Sequence, residues 1–294
     1  MSSYMASYFG GMYMIKTFDY ALQTDNITIE QLLRDEFNIS KKIMHEMRMA
    51  KSIVNEQGEP MVWQHHYPIG TKLTFNVNVE PSSYMATHTC EVPILFEDAH
   101  VLVVSKPADM ATHPNDPGQT GTCMNHVMAY VKKQGGVYAE HVHRLDQGTK
   151  GLVLIAKHPL IKTMLDRMLE EKQIIRVYEA IVDGFMTQKN GTIRSSIGKD
   201  RHDSARRAVS PSGQEAITHF EVVGQDANFT KVHVILETGR THQIRVHFSS
   251  IGHPVTGDRM YGSRTRADNY SLHAKKLQFV HPITKEMIVV EDYK

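Results

Sequence analysis

His143-Arg144-Leu145-Asp146-Gln147-Gly148-Thr149-Lys150-Gly151-Leu152 is the stretch on which the reading of this chain turns. Val142 and Leu145 have the character of buried residues, Gly148 and Gly151 permit a turn, and residues 152–157, apolar through Ala156, follow as a strand. The pattern sets one carboxylate, Asp146, at a turn beside a sheet, where a strand end is held rigidly and still reaches a cleft. Local grammar alone favours a plainer account, a turn aspartate bonded to its own backbone.

Downstream, residues 158–173 read as a helix, with Pro159 in its first turn and Leu160, Ile161, Met164, Leu165, Met168 and Leu169 on one stripe. Ile174-Ile175-Arg176-Val177-Tyr178-Glu179-Ala180 passes from helix to strand, and Tyr178 by itself reads as a core tyrosine. Residues 177–183 and 232–236 are further strands. In Thr238-Gly239-Arg240-Thr241-His242-Gln243-Ile244-Arg245-Val246-His247-Phe248, Thr241 is placed to cap a helix carrying Ile244, His247, Phe248 and Ile251. Gly252 stops that helix and Pro254 follows. Arg245 lies off the apolar stripe, so it points into a cleft or into solvent. Two arginines beside a helix N-terminus make a seat for anions.

Upstream, residues 1–13 lack any period and are expected to form a disordered lead, with the ordered chain starting near Met14. Residues 14–80 form a small unit. Ile29, Leu32, Leu33 and Phe37 keep helical spacing after Thr28, Ser40 caps a second helix, and strands follow near Ile53-Val54 and over 67–75. Residues 81–89 read as a linker and 90–294 as the main domain, where strands and helices alternate irregularly, an α+β pattern.

Charge is balanced, with 33 Lys and Arg against 32 Asp and Glu. Bulk basicity does not mark the chain as a nucleic-acid binder, so any such affinity would have to come from local clusters. Lys199, Arg201, Arg206 and Arg207 make one such cluster, interrupted by Asp200 and Asp203, and Arg259, Arg264 and Arg266 make another; each also reads as a solvated loop. No run approaches membrane-spanning length, and the first residues do not read as a secretory signal, so a cytoplasmic protein is expected. Cys90 and Cys123 give neither a disulfide framework nor a metal-type pair.

The blocks in sequence are Leu95-Phe96-Glu97-Asp98 through Val103-Val104-x-Lys106-Pro107 and His113-Pro114, then His143-Arg144-Leu145-Asp146 with Thr149-x-Gly151-Leu152. The Tyr178 strand, 239–247 and Gly252-His253-Pro254-Val255-x-Gly257-Asp258 complete them. In this order and spacing they resemble the ribosomal large-subunit pseudouridine synthases of the RluA/RluD type, across 90–294. Residues 14–80 are similar to the alpha-L RNA-binding motif often fused to those enzymes. The usual basic face is thin, with five Lys and Arg against six Asp and Glu between Asn26 and Pro60, and Asn55-Glu56 stands where Asn-Gly is usual. Lys150 occupies a position where the family commonly has Ser.

The resemblance implies a pseudouridine synthase fold of the α+β class, a mixed, mostly antiparallel sheet with flanking helices and a central catalytic cleft, plus a small N-terminal α/β module. It implies an isomerase acting on uridine in structured RNA without cofactor or metal. It assigns the catalytic carboxylate to Asp146, a guanidinium partner to Arg245, stacking on the base to Tyr178, and the place vacated by the flipped base to Arg144. RNA contacts are expected at His143, Arg144, Thr149, Lys150, Arg240, His242, Arg206 and Arg207. The expected partner of this cytoplasmic monomer is large-subunit ribosomal RNA, with transfer RNA as the alternative. Two rival readings are a non-catalytic RNA- or ribosome-binding factor and a metal-dependent hydrolase built on His113, His143, His242, His247 and His253, although no metal-ligand spacing supports the latter.

Overall fold

The computed structural model describes residues 5–8 and 11–293. The N-terminal unit runs β1 (Met5–Tyr8), β2 (Gly11–Ala21), β3 (Ile27–Thr28), α1 (Ile29–Gln31) continued by a π-helical turn over Leu32–Glu36, α2 (Lys41–Met49), β4 (Ile53–Val54), β5 (His66–Tyr67) and β6 (Lys72–Val79). The larger unit continues with β7 (Ile94–Glu97), β8 (Val101–Lys106), α3 (Cys123–Lys133), β9 (Glu140–His141), β10 (Lys150–Ala156), α4 (Pro159–Glu170), β11 (Ile175–Asp183) and β12 (Asn190–Arg194). It ends with β13 (Ile197–Lys199), β14 (Arg207–Val209), β15 (Ile217–Gln225), β16 (Phe229–Leu236), α5 (Gln243–Ser250), a 3-10 turn at Arg259–Tyr261, β17 (Leu272–Val280) and β18 (Met287–Glu291).

The uninterrupted apolar runs explain where the core lies. Along β8, Val101 and Val103 enter one core while Leu102 and Val104 enter another; along β10, Leu152, Leu154 and Ala156 alternate in the same way with Val153 and Ile155. A strand buried on both faces reads as continuous hydrophobe, which is what these segments show. Helix α4 covers one face with Leu160, Ile161, Met164 and Leu165, and α3 covers the other with Cys123, Met124, Val127, Met128 and Val131. The resulting ten-stranded sheet has the order β12-β15-β16-β11-β17-β10-β8-β7, with β18 and β9 as side pairings. All of its pairs are antiparallel except β10 with β17. This is the α+β architecture, with a mostly antiparallel sheet, that the sequence implied.

Two backbone features aim this sheet at one place. The β10–β17 pairing is short, Lys150 with His273 and Gly151 with Ala274, and at Gly151 the backbones approach so closely that a Cβ would run into the Ala274 carbonyl oxygen. Gly151 also has φ 112°, a region open mainly to glycine. The register between β11 and β17 shifts between Val177 and Tyr178, and such an irregularity re-aims the side chain it carries.

The N-terminal unit pairs β2 with β6 over its whole length after Met14 and adds β4 at the far edge. Thr28 caps α1 through a reciprocal box with Gln31, and Ser40 caps α2, both as the sequence indicated. Phe18, Phe37 and Phe75 form an aromatic cluster, and Phe18 reaches across to stack on His158 at the start of α4. The two units thus share one continuous core. Residues 81–89, expected as a linker, lie fixed along the main domain, with the Ser82 hydroxyl donating to the Ala139 carbonyl and Tyr84 to Glu140. The expected disordered lead is corrected for part of its length. Met5–Tyr8 and the start of β2 form an antiparallel hairpin, because β2 runs on past Met14 and offers an open edge; residues 1–4 and 9–10 lie outside the described residues.

The close approach at Gly151 separates steric from conformational cost. Gly151→Ala should destabilise the protein by about 3 kcal/mol or more, since it adds a backbone clash to left-handed strain. Gly252→Ala, also at positive φ but in open space, should cost only about 1 kcal/mol. Equal losses in urea denaturation would contradict this account.

Candidate active site

The loop from Leu145 to Thr149 is tied down on every side. The Thr112 hydroxyl accepts from the Leu145 amide and donates to the Leu145 carbonyl. The Thr149 amide closes a turn onto the Asp146 carbonyl. The Lys106 ammonium, fully buried, donates to the carbonyls of Pro107, Met110 and Gln147 at 2.7–3.0 Å. Burial pulls its pKa down to about 8. Gly148 lies flat beneath the Tyr270 ring, where a Cβ would collide, and the Thr149 hydroxyl meets the Tyr270 hydroxyl at 3.2 Å. Asp146 is therefore a carboxylate on a preset backbone, and the plainer account of a self-bonded turn aspartate gives way: the Asp146 side chain points away from its own turn.

It points at Arg245. The Arg245 Nη1 donates to Asp146 Oδ2 at 3.3 Å, while its Nε and Nη2 hold Asp258 in a fork at 2.6 and 3.1 Å. Its guanidinium lies between the rings of Tyr261 and Tyr270, 4.8 and 4.4 Å from their centroids. Burial works against its charge, but the bonds and charge of Asp258, with Tyr270 and Asp146, more than offset that and hold its pKa above the ordinary value. Asp258 is 2% exposed, so this pair is a desolvated one.

The sequence reading put the cap of the following helix on Thr241, and that is corrected. Helix α5 starts at Gln243 with His242 as its N-cap in the left-handed region, φ 59°, without a side-chain cap. The reason is the Gln243 amide oxygen, which accepts from the Thr238 hydroxyl and the Arg240 amide and folds 238–242 back on the helix start. His242 is thereby turned toward Asp146, its Nε2 3.9 Å from Oδ2.

Two cavities meet at Asp146. One, of about 450 Å³, is lined by Asp109, His113, Asn115, Ala205, Met260 and Tyr270; the other, of about 750 Å³, by Thr149, Arg176, Tyr178, Glu237 and Arg240 among others. Arg144, Leu145, Asp146, His242 and Arg245 line both. Tyr178 is buried at the back of the larger one, and burial raises its hydroxyl pKa.

Of the expected residues, Asp146, Arg245, Tyr178, Arg144, Thr149, Arg240 and His242 come together here. Arg144 is exposed at the mouth. His143 touches the larger cavity but is buried, its Nε2 accepting from the Leu154 amide, and burial pushes its pKa down to about 3, so it offers no cation to a phosphate. Lys150 is exposed at the start of β10 and lines neither cavity. Arg206 and Arg207 also stand outside both, joined to the site through Tyr261: the Arg207 amide donates to its hydroxyl, and the Arg206 guanidinium lies 5.3 Å over its ring. The histidines of the metal reading have other engagements. His113 stacks on His141, His247 bonds Thr218, and His253 bonds the Asp183 carbonyl. Among the described residues no group of three or more His, Cys, Asp or Glu is disposed to hold a metal ion, and no helix is long and apolar enough to cross a membrane.

Sequence reasoning missed Asp258, Tyr261, Tyr270, Arg176 and the service of Lys106. Asp258 stood at the end of a quoted block, and Lys106 in a Lys-Pro turn, but nothing in one dimension couples either to the Asp146 loop.

The pattern description of the RNA pseudouridylate synthase family matches residues 100–250, and that of the RluD ribosomal pseudouridine synthase N-terminal domain matches 16–73. The chain is 47% identical over 226 residues to the Bacillus subtilis protein named "Uncharacterized RNA pseudouridine synthase YhcT", covering 76% of this chain and 75% of that one. It is 35% identical over 235 residues to "Ribosomal large subunit pseudouridine synthase D" of Haemophilus influenzae, covering 74% and 72%. The solved structure of human RNA Pseudouridylate Synthase Domain Containing 1 has the same fold, with a TM-score of 0.59 at 24% identity, over 70% of this chain and 84% of that one.

Removing Asp258 leaves the Arg245 charge buried with half its partners. Asp258→Ala should cost about 3–5 kcal/mol in chemical denaturation. Asp258→Asn, which keeps one acceptor, should cost clearly less, and equal losses would show that the fork is not what holds Arg245.

Proposed function

The chain belongs to the RNA pseudouridylate synthase family, an isomerase family, and we propose that it isomerises uridine in large-subunit ribosomal RNA with Asp146 as the catalytic carboxylate. The observation that carries the proposal is the Asp146 carboxylate on the wall common to two cavities, 3.3 Å from a guanidinium that Asp258 already holds in place. The reaction breaks the bond from ribose C1′ to uracil N1, turns the base and rejoins it through C5. No atom is gained or lost overall, and one proton leaves C5 while another reaches N1. Such chemistry needs a positioned anion at the sugar, a pocket that holds the detached base and a scaffold that does not shift between steps.

The named residues meet those needs. Asp146 attacks the sugar, attacks the base or takes a sugar proton, and Arg245, 3.3 Å away, orients it. Tyr178 gives the base a face to stack on. The larger cavity, which holds Tyr178 beside Asp146 and Arg245, is the place for the flipped base. Arg144, exposed at the mouth, is placed to occupy the gap that the base leaves. Arg206 and Arg207 would meet flanking phosphates. All these groups come from one chain, which favours a monomer as the working form, in the cytoplasm. The relatives named for the large ribosomal subunit favour ribosomal over transfer RNA.

Asp146→Asn should reduce tritium release from uridine-labelled RNA by about 10³-fold or more, with RNA binding changed by only a few-fold. Turnover near that of the unaltered enzyme would sink the assignment. Arg245→Lys should recover part of what Arg245→Ala loses, because a point charge replaces the planar fork. Pseudouridine mapping in a strain lacking the gene should show one or more sites missing from large-subunit ribosomal RNA; loss confined to transfer RNA would redirect the substrate.

A further inference from the structure

Beside Asp146 stands a hydrogen-bond donor whose direction is fixed by its surroundings. His242 is held in the left-handed region, where a non-glycine residue persists only if its neighbours insist on it. Its Nδ1 lies 2.7 Å from the Tyr261 hydroxyl. That hydroxyl accepts from the Arg207 amide at 3.0 Å, and among the described residues its own hydrogen has no acceptor but His242 Nδ1. A neutral imidazole has one donor and one acceptor nitrogen, so the network assigns the proton to Nε2. Burial, with Arg245 and Arg207 nearby, lowers the pKa of His242 against the pull of Asp146, which keeps the ring neutral. The Nε2–H then faces Asp146 Oδ2 across 3.9 Å, too far for a hydrogen bond, and it lines both cavities. The donor is unspent, and the space before it is where the reacting base would lie.

Resting on the reading of Asp146 given above, we propose that His242 donates its Nε2 hydrogen to the 2-carbonyl oxygen of the target uracil and, once the base has turned, to the 4-carbonyl oxygen in the same place. The geometry of uracil makes one donor sufficient. Turning the ring about the line from N3 to C6 exchanges N1 with C5 and, with them, O2 with O4. When the C1′–N1 bond breaks, its electron pair leaves with the base and spreads over N1 and both carbonyl oxygens. A neutral donor stabilises that charge without protonating the base, so the base keeps the pair that forms the C5–C1′ bond. His242 holds its own proton throughout, while C5 loses one and N1 gains one.

Side-chain amides separate this role from a structural one. Glutamine places its amide nitrogen near imidazole Nε2, whereas asparagine places its own near Nδ1 and is the residue more at ease in left-handed backbone. His242→Ala and His242→Asn should each lose about 10²-fold in kcat, with KM changed little, while His242→Gln stays within about tenfold of the unaltered enzyme. RNA carrying 2-thiouridine at the target, with a poorer acceptor at position 2, should slow the unaltered enzyme but not slow His242→Ala further. A His242→Asn enzyme as active as the unaltered one, or a thio effect undiminished in His242→Ala, would overturn the proposal. Asp146→Asn assayed alongside keeps the two questions apart. If it is inactive while His242→Asn is fully active, only the histidine inference fails; if it is active, the reading of the site fails and this inference with it.

Discussion

The buried fork between Arg245 and Asp258 is the constraint on which the site depends. A guanidinium 5% exposed between two tyrosine rings would be untenable without a carboxylate to satisfy it. Asp258 spends two of the Arg245 donors and fixes the plane of the group. Nη2 also donates to the Met260 sulfur, and Nη1 is directed to Asp146. The positive charge that faces Asp146 is thus fixed by the Arg245–Asp258 pair, and the turn carrying Asp258, the helix carrying Arg245 and the loop carrying Asp146 must be assembled together. A preorganised charge of this kind needs no rearrangement at the moment of reaction.

The sheet supplies the rigidity that such an arrangement requires. Strand β10, buried on both faces, anchors the end of the Asp146 loop, and its short parallel contact with β17 brings Gly151 against Ala274. Strand β11 meets β17 with a register shift at Tyr178, which aims that ring into the larger cavity. Lys106 and Thr112 then tie the loop to the turn after β8 through backbone carbonyls, so the loop has few degrees of freedom left. The opposite wall is built from 238–248, where Gln243 folds the chain back and turns His242 inward.

The N-terminal unit enters this design through packing rather than through charge. Its Phe18 lies against His100 and His158, and Arg167 of α4 donates to the Asp35 carbonyl, so the unit is mortared to the outer face of the sheet, away from both cavities. Its charge is close to balanced, and no residue of it lines either cavity.

The sequence by itself determined the elements and the chemistry-bearing residue types. Continuous apolar runs at 101–104 and 152–156 announced strands buried on both faces, Thr28, Ser40 and Pro159 marked helix starts, and the ordered blocks around Asp146, Tyr178 and Arg245 named the candidate site. These signals are local, carried by spacing and side-chain type within one segment. Only the tertiary structure decided that Asp258 holds Arg245, that Lys106 props the Asp146 loop, that His143 is buried and neutral, and that His242 rather than Thr241 begins α5. The Asp258 and Lys106 bonds join separate segments, and the energy of burying a charge depends on partners that one segment does not contain; the start of α5 turns on a local fold-back of the Gln243 side chain onto Thr238 and Arg240, which spacing alone does not announce.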